Sequence, residues 1–325
     1  MKISVVIVTW NQKDLLKNCL NSLKKQTYKN FQIIVVDNSS EDKTLEFLRK
    51  DHPEIKVISL KKNFGFSVAV NKGIKTSNNS KYIVLLNNDI VADKNFIKYL
   101  FESLEKDKEK KYCGTTAKIL DFSRGNILSS AGDFMNNVGQ SFSRGLGKSA
   151  DKFNKPEEVF MITGGASIFR KSVFKKIGFF DEDYFIYGED SDWCFRAQLL
   201  GCKFWYEPKA IVYHHCKAST KKMAGIIDYF HFRNMTLTTL KNFPLRLFFK
   251  KWRFITIPLI HLNTMFYMTI KGHLKEAIKA DLWIIFHLPK IIKERLLIQS
   301  KIKVSVEYIN NWLMPKKVRF LDLLK

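Results

Sequence analysis

The sequence predicts an α/β fold, and three observations predict it. Aliphatic runs alternate with amphipathic ones up to about residue 240, the aliphatic runs end in polar residues, and Tyr82-Ile83-Val84-Leu85-Leu86 is apolar throughout before it meets Asn87-Asn88-Asp89. Alternation of this kind lays helices on a sheet, and four successive large aliphatics fit a strand covered on both faces. Residues 3–8 form the first strand. Their start mimics a short signal peptide, but Trp10-Asn11-Gln12-Lys13-Asp14 follows with no small-residue cleavage pattern. Residues 13–25 form a helix, with Leu15, Leu16, Cys19, Leu20 and Leu23 on one face and lysines largely opposite. A strand at 32–36, a helix near 43–50 and a strand at 57–60 continue the alternation. The stretch 121–158, rich in Ser, Gly, Asn and Lys, is expected to hold short strands and a mobile loop rather than core.

Composition narrows the class. A chain of 325 residues, 46% hydrophobic, can bury a sizeable core. A net charge of +24 implies a polyanionic partner: nucleic acid, an anionic bilayer or a phosphorylated substrate. Five cysteines, Cys19, Cys113, Cys194, Cys202 and Cys216, are odd in number and contain no close CxxC pair. That spacing argues against a zinc site and a disulfide framework, and it fits a reducing cytoplasm.

Polar groups converge where the strands end. Thr9-Trp10-Asn11, Asp37-Asn38-Ser39-Ser40 and Asn87-Asn88-Asp89 would meet along one sheet edge, where α/β folds bind ligands. Asp37 could accept the imide N–H of a uracil or thymine ring, and Asp89 could hold a divalent metal through oxygen; a helix N-cap explains either residue alone. Asn63-Phe64-Gly65, with Asn71 and Gly73, suits close approach to a sugar or phosphate but is not a dinucleotide fingerprint. Gly164-Gly165 allows close contact with a substrate or simply tight packing. In Glu189-Asp190-Ser191-Asp192 three carboxylates fall within four positions, so at least one should carry a raised pKa, as a general base needs. His214-His215 follows a strand, and one imidazole could ligate a metal.

In this order the motifs VVIVTWN, VVDNSS, NFGF, LLNNDI and the block from Gly164 through FDEDYFIYGEDSDWCFR resemble the family 2 inverting glycosyltransferases, specifically rhamnosyltransferase-like members of the GT-A fold. The resemblance runs from residue 3 to about 244, and His214 followed by Ser219 is similar to the family's last metal-site histidine. It implies a Rossmann-like mixed sheet flanked by helices and a cytoplasmic enzyme using a UDP- or dTDP-sugar with Mg²⁺ or Mn²⁺. It further implies that Thr9, Trp10, Asn11 and Asp37 hold the nucleoside, with Trp10 stacked on the base, and that Asn63, Gly65, Asn71, Asn87 and Asn88 lie along the rest of the donor. Asp89 and His214 would hold the metal, Asp190 would be the general base, and Gly164, Gly165, Glu189 and Trp193 would meet the acceptor. The family's usual DxD has Asn87 at its first position here.

Residues 241–325 differ in character and are expected to form a separate helical region after a 1–240 catalytic domain. They hold half of the net charge in about a quarter of the chain, interleaved with Phe248, Phe249, Trp252, Phe254, Trp283 and Phe286. Such composition suits helices lying on the inner face of the cell membrane, facing anionic lipid and a glycan or lipid-linked glycan acceptor in surface polysaccharide synthesis. A helical cap or a homo-oligomer interface would carry the same pattern. Residues 254–270 are uncharged but interrupted by Pro258, His261 and Asn263, a poor spanning helix. Two other classes fit less well. A sugar-phosphate nucleotidyltransferase would need a glycine-rich, Arg-bearing loop where Thr9-Trp10-Asn11-Gln12-Lys13 stands. A nucleic-acid-binding protein would turn Asp37, Asp89 and the acids at 189–192 toward a polyanion.

Overall fold

The computed structural model describes residues 1–215 and 224–313; Cys216, Ser219 and the basic residues from 316 onward lie outside the described residues. The first half alternates as expected: β1 (Ile3–Thr9), α1 (Lys13–Lys24), β2 (Phe31–Asp37), α2 (Thr44–Asp51), β3 (Lys56–Ser59), α3 (Phe66–Thr76), β4 (Tyr82–Leu86), β5 (Ile90–Ala92), α4 (Phe96–Lys106) and β6 (Tyr112–Asp121). Then come β7 (Leu128–Ser130), β8 (Asp133–Met135), β9 (Ser141–Ser143), β10 (Glu157–Val159), β11 (Ala166–Arg170), α5 (Val173–Ile177), α6 (Glu189–Leu199) and the long β12 (Lys203–His214). Helices complete the chain: α7 (Ala224–Asn242), α8 (Leu245–Phe249), α9 (Arg253–Ile270), α10 (Leu274–Phe286), α11 (Leu288–Gln299) and α12 (Val306–Trp312).

The main sheet runs β10-β12-β6-β11-β4-β1-β2-β3. It is mixed, because β11 runs antiparallel between β4 and β6 while β1 pairs parallel with β2 and β4. Strand periodicity sorts the core into two faces. Ile83 and Leu85 of β4 join Val70 and Ile74 of α3 and Trp193 of α6 on one face. Val84 and Leu86 join Leu16, Cys19 and Leu20 of α1 and Phe96 and Leu100 of α4 on the other. Each fully buried leucine contributes roughly 1.5–3 kcal/mol. Gly73 is needed where α3 crosses β1, since a Cβ there would lie 2.3 Å from a Val6 methyl.

Three expectations are corrected. The stretch 121–158 is not a loop lacking core: Leu128, Ala131, Met135 and Ala150 are buried in the larger cluster, because short strands fold its few apolar residues inward. Cys113 and Cys202, 89 residues apart, form a disulfide with Cα atoms 5.7 Å apart. The parallel pairing of β6 with β12, Gly114 opposite Phe204, brings them together, a proximity that local spacing cannot reveal. The boundary at 240 falls inside α7, and Phe243, Leu247, Ile309 and Leu313 belong to the same core as the sheet. Fully buried Arg253 reinforces this union, donating to Asn137 O and Oδ1 and to Asn310 Oδ1 at 2.6–2.9 Å.

Trp193 stands at the centre of the larger core. It is fully buried against Phe169, Phe174, Phe180 and Phe204, and its indole N–H donates to Gly178 O at 2.8 Å. Trp193→Ala is expected to lower unfolding stability by about 3–5 kcal/mol. Urea denaturation checks this; a change below about 1 kcal/mol would mean that the cluster repacks around the loss.

Candidate active site

The site begins where the sheet order reverses. The chain leaves β1 toward β2 and β3 and returns on its other side as β4, and a crevice opens at the carboxyl ends of such strands. Thr9 pairs with Asp37 across the parallel ladder, and Thr9 Oγ1 accepts from Asn88 Nδ2 at 2.9 Å, tying the two sides of the crevice together. Asn11, in left-handed backbone (φ 52°), accepts from Glu41 N through Oδ1 at 2.7 Å, and its N–H donates to Ser40 Oγ at 2.9 Å. Asp37 is fully buried; Oδ2 accepts from Ser40 N at 3.2 Å, while Oδ1 has no donor. Trp10 stands on the rim, 42% exposed.

The next loop forms the crevice floor. Asn63 Oδ1 accepts from Asn38 Nδ2 at 2.8 Å and from Gly65 N at 2.9 Å. Gly65 has φ 86°, and a Cβ there would lie 2.5 Å from Phe185 O, so only glycine lets the donor-side loop meet the segment before α6. Asn71, expected beside the donor, is a buried brace instead. Its Nδ2 donates to Phe180 O at 2.8 Å and Glu182 Oε1 at 3.1 Å, and its Oδ1 accepts from Phe180 N at 3.0 Å, so the amide is occupied within the protein.

Strand pairing creates the candidate metal site. β5 and β12 run antiparallel with Ile90 opposite His214, and the N–H of His215 donates to Asp89 O at 3.0 Å. That register sets His214 Nε2 3.2 Å from Asp89 Oδ2, while the buried Oδ1 of Asp89 has no donor among the described residues. His215 turns away and stacks on Phe122, ring centroids 3.6 Å apart, so His214 faces the carboxylate. A carboxylate oxygen without a donor beside an imidazole is a donor set that suits a divalent cation, with phosphate oxygens and water completing its shell. The acidic group of Asp181, Asp183 and Glu294 is a different feature. Lys241 pairs with Asp181 and Glu294, and Lys290 with Asp183, so lysine ammonium groups already neutralise it.

The three clustered acids of α6 divide by environment. Asp192 is fully buried but held below the usual carboxylate range: burial opposes its charge, and Arg196 (2.8 Å), Lys241 and the Asn242 amide (2.8 Å) outweigh it. Glu189 is pushed up to about 8 by burial and then by the Asp190 charge, and its Oε2 has no donor. Burial also raises Asp190, against the N–H groups of Gly164 (3.4 Å) and Ser191 (2.8 Å) that donate to it. Glu189 therefore favours its protonated form near neutrality, while the backbone donors favour the charge on Asp190. Gly164 and Gly165 join this pair to the other half of the crevice. Gly165 O accepts from Asn87 N at 2.8 Å, and a Cβ on Gly165 would lie 2.9 Å from Asn87 Nδ2. The Tyr187 phenol is raised by burial and then by the charges of Glu189 and Asp89, so it senses both acidic centres. Trp193, expected at the acceptor, is core instead: the fifth residue of α6 points into the sheet, one turn past the acids.

Several residues of the site were not singled out from sequence. Asp133, in a Gly-Asp turn that reads as ordinary loop, is pushed up to about 7 by burial and the Asp190 charge, with Ser130 Oγ at 2.9 Å opposing. Arg233 and Asn234 of α7 reach the segment before α6, and Tyr187 stacks on His231 at 4.5 Å. The adjacent Arg233-Asn234 pair within α7 was the available signal.

Comparison with known proteins gives the family and the fold. The model of glycosyl transferase family 2 matches residues 4–178, and that of the N-terminal domain of galactosyltransferase matches 144–222. A poly-β-1,6-N-acetyl-D-glucosamine synthase of Staphylococcus epidermidis is 24% identical over 64% of this chain, which spans about half (48%) of that relative's length. An N-acetylglucosaminyl-diphospho-decaprenol L-rhamnosyltransferase of Mycobacterium tuberculosis is 25% identical over 66% of this chain and 76% of its own. Among solved structures, GalNAc-T7 with UDP, GalNAc and Mn²⁺ superposes with a TM-score of 0.58 at 17% identity, covering 74% of this chain and 48% of that one, a likeness of fold. With the family model spanning more than half of its residues and the GT-A arrangement of its sheet, the chain belongs to glycosyl transferase family 2.

Proposed function

We propose that the protein transfers a sugar from a UDP- or dTDP-sugar to a hydroxyl of a glycan or lipid-linked glycan, with inversion. One observation supports this reading: among the described residues the buried oxygens Asp37 Oδ1, Asp89 Oδ1 and Glu189 Oε2 have no donor, which suits partners supplied by a base, a metal and an acceptor. Asp37 Oδ1 suits a pyrimidine imide N–H, and exposed Trp10 suits stacking on the base. Asp89 and His214 would hold Mg²⁺ or Mn²⁺, which when bound neutralises charge on the departing diphosphate. On the other side of the sugar Asp190 takes the proton of the acceptor hydroxyl as its oxygen bonds to the anomeric carbon. The bond to the donor phosphate breaks in the same displacement, and the diphosphate leaves with the electron pair. Glu189, protonated at neutral pH, keeps a second negative charge away from Asp190 and can donate to the acceptor.

We further propose that α8–α11 rest on an anionic membrane surface at the cytoplasmic side. Phe249, Trp252, Leu262, Phe266, Phe286 and Leu296 are exposed there, and Lys250, Lys251, Lys271, Lys275 and Lys279 are interspersed. Among the described residues no helix is long and apolar enough to cross a membrane, so interfacial attachment is the form the proposal takes.

Three measurements test these readings. Thermal unfolding with UDP, dTDP and GDP, with and without Mn²⁺, should show a metal-dependent rise for UDP or dTDP and none for GDP; ligand at about 100 times its Kd adds roughly 2.7 kcal/mol. No rise with any nucleotide would remove the donor site. Asp190→Asn should fold and bind nucleotide yet lose about 10²-fold or more in kcat. Near-normal turnover would take Asp190 out of the base role and leave Glu189, since Asp192 is committed to Arg196. In flotation with anionic liposomes the protein should rise with the vesicles, and protein that stays at the bottom in low salt would rule out membrane attachment.

A further inference from the structure

The segment between Asp183 and Gly188 carries more backbone strain than any other stretch near the site. Phe185 (φ 60°, ψ −64°) is the centre of a γ-turn closed by the N–H of Ile186 on Tyr184 O at 2.6 Å, and Tyr187 (φ 66°) and Gly188 (φ 85°) are left-handed as well. A γ-turn with positive φ is rare for a residue with a side chain, and such conformations cost about 1–3 kcal/mol each unless their surroundings fix them. The surroundings here are specific. The Asn234 amide nitrogen donates to Tyr184 O (3.0 Å), Ile186 O (3.0 Å) and Tyr187 O (2.6 Å). Arg233 donates to Asp183 O (2.5 Å) and Tyr184 O (3.1 Å), and its Nε–H holds Asn234 Oδ1 at 2.9 Å, which turns the amide nitrogen toward the loop. Phe185 O accepts from Phe66 N at 2.5 Å, at the start of α3. All five successive carbonyls from 183 to 187 thus have donors, four from α7 and one from the donor-side loop. The rings follow suit: Phe185 stacks on Phe230 at 5.1 Å and Tyr187 on His231 at 4.5 Å.

We propose that Asn234, oriented by Arg233, is a positioning residue: it fixes the strained loop and so sets Glu189 and Asp190 relative to the donor-side loop at Gly65. Two residues separate the last clamped carbonyl from Asp190, so a shift of the loop passes directly to the carboxylate and to its contact with Gly164. In catalysis a displacement of about 1 Å can cost 10²-fold. The fully buried Thr238 hydroxyl, which meets Tyr184 Oη at 2.8 Å, anchors the loop from the same helix without touching its carbonyls.

This inference rests on Asp190 as base, and the test separates the two. In Asn234→Ala, kcat should fall at least 10-fold while UDP affinity stays within about 3-fold, and the acid limb of the kcat–pH profile should move because the Asp190 environment changes. Arg233→Lys, which keeps the charge but loses the planar fork, should show a smaller change of the same kind and serves if Asn234→Ala does not fold. Hydrogen exchange supplies a readout independent of turnover: the peptide spanning 183–190 should exchange at least 10-fold faster in the variant, with the β1 and β4 amides unchanged. A folded variant with wild-type kcat and pH profile, or with unchanged exchange in that peptide, overturns the proposal. Absence of any transfer by the wild-type protein would instead strike at the reaction itself, and the exchange result would still decide the clamp.

Discussion

The arrangement depends on where carboxylates are left without cations in a protein that carries a surplus of them. Elsewhere several buried or half-buried acids meet a guanidinium: Asp192 with Arg196 at 2.8 Å, Asp107 with Arg170 at 3.3 Å and Asp121 with Arg124 at 2.7 Å. Around the crevice, Asp37, Asp89 and Glu189 each keep an oxygen without a donor among the described residues, although the chain has 55 lysines and arginines. Burying such an atom costs about 1–3 kcal/mol. The sheet sustains that cost because Thr9, Asp37 and Asn88 sit at strand ends whose preceding residues are fully packed, leaving the polar tips little freedom to turn toward water.

The donor half was legible in the sequence because it is local. Each polar tip follows a strand of four or more aliphatic residues, so the carboxyl edge can be read from Thr9, Asp37 and Asp89 alone. What escaped was set by distant pairings or by which side of a helix faces inward. Asn71 and Trp193 have residue types common in binding sites, and only packing shows that both are spent on the segment from 178 to 182. Cys113 and Cys202 meet through strands separated by almost ninety residues. Asp133 approaches Asp190 from a short hairpin strand whose Ser- and Gly-rich surroundings look like ordinary loop.

The last third of the chain is likewise more integrated than its composition suggested. Lys241 is buried between Asp181 and Glu294, and Arg295 donates to Leu240 O and Phe243 O, so these two basic residues of the region expected to face anionic lipid instead tie α7 to α11. The exposed apolar side chains are concentrated on α8–α11, while α7 is sandwiched between these helices and the loop before α6. One helix therefore separates the apolar surface from the acid pair.

That position of α7 has a consequence for the order in which the protein becomes competent during synthesis. The strand ends that carry Thr9, Asp37 and Asn88 belong to β1, β2 and β4, all within the first hundred residues emerging from the ribosome, whereas β5 gains its strand partner, and Asp89 its His214, only when β12 has been made. Among the described residues, the carbonyls of Asp183, Ile186 and Tyr187 in the strained backbone ahead of Glu189 have donors only from residues 233 and 234, which must be made and docked with α7 first. Synthesis proceeds from the N-terminus at about 5–20 residues per second, so the two halves of the site are made in that order. On the proposed function, the strand ends that would hold the base are thus made well before the acids can be held in register, and ligand recognition would mature ahead of proton removal.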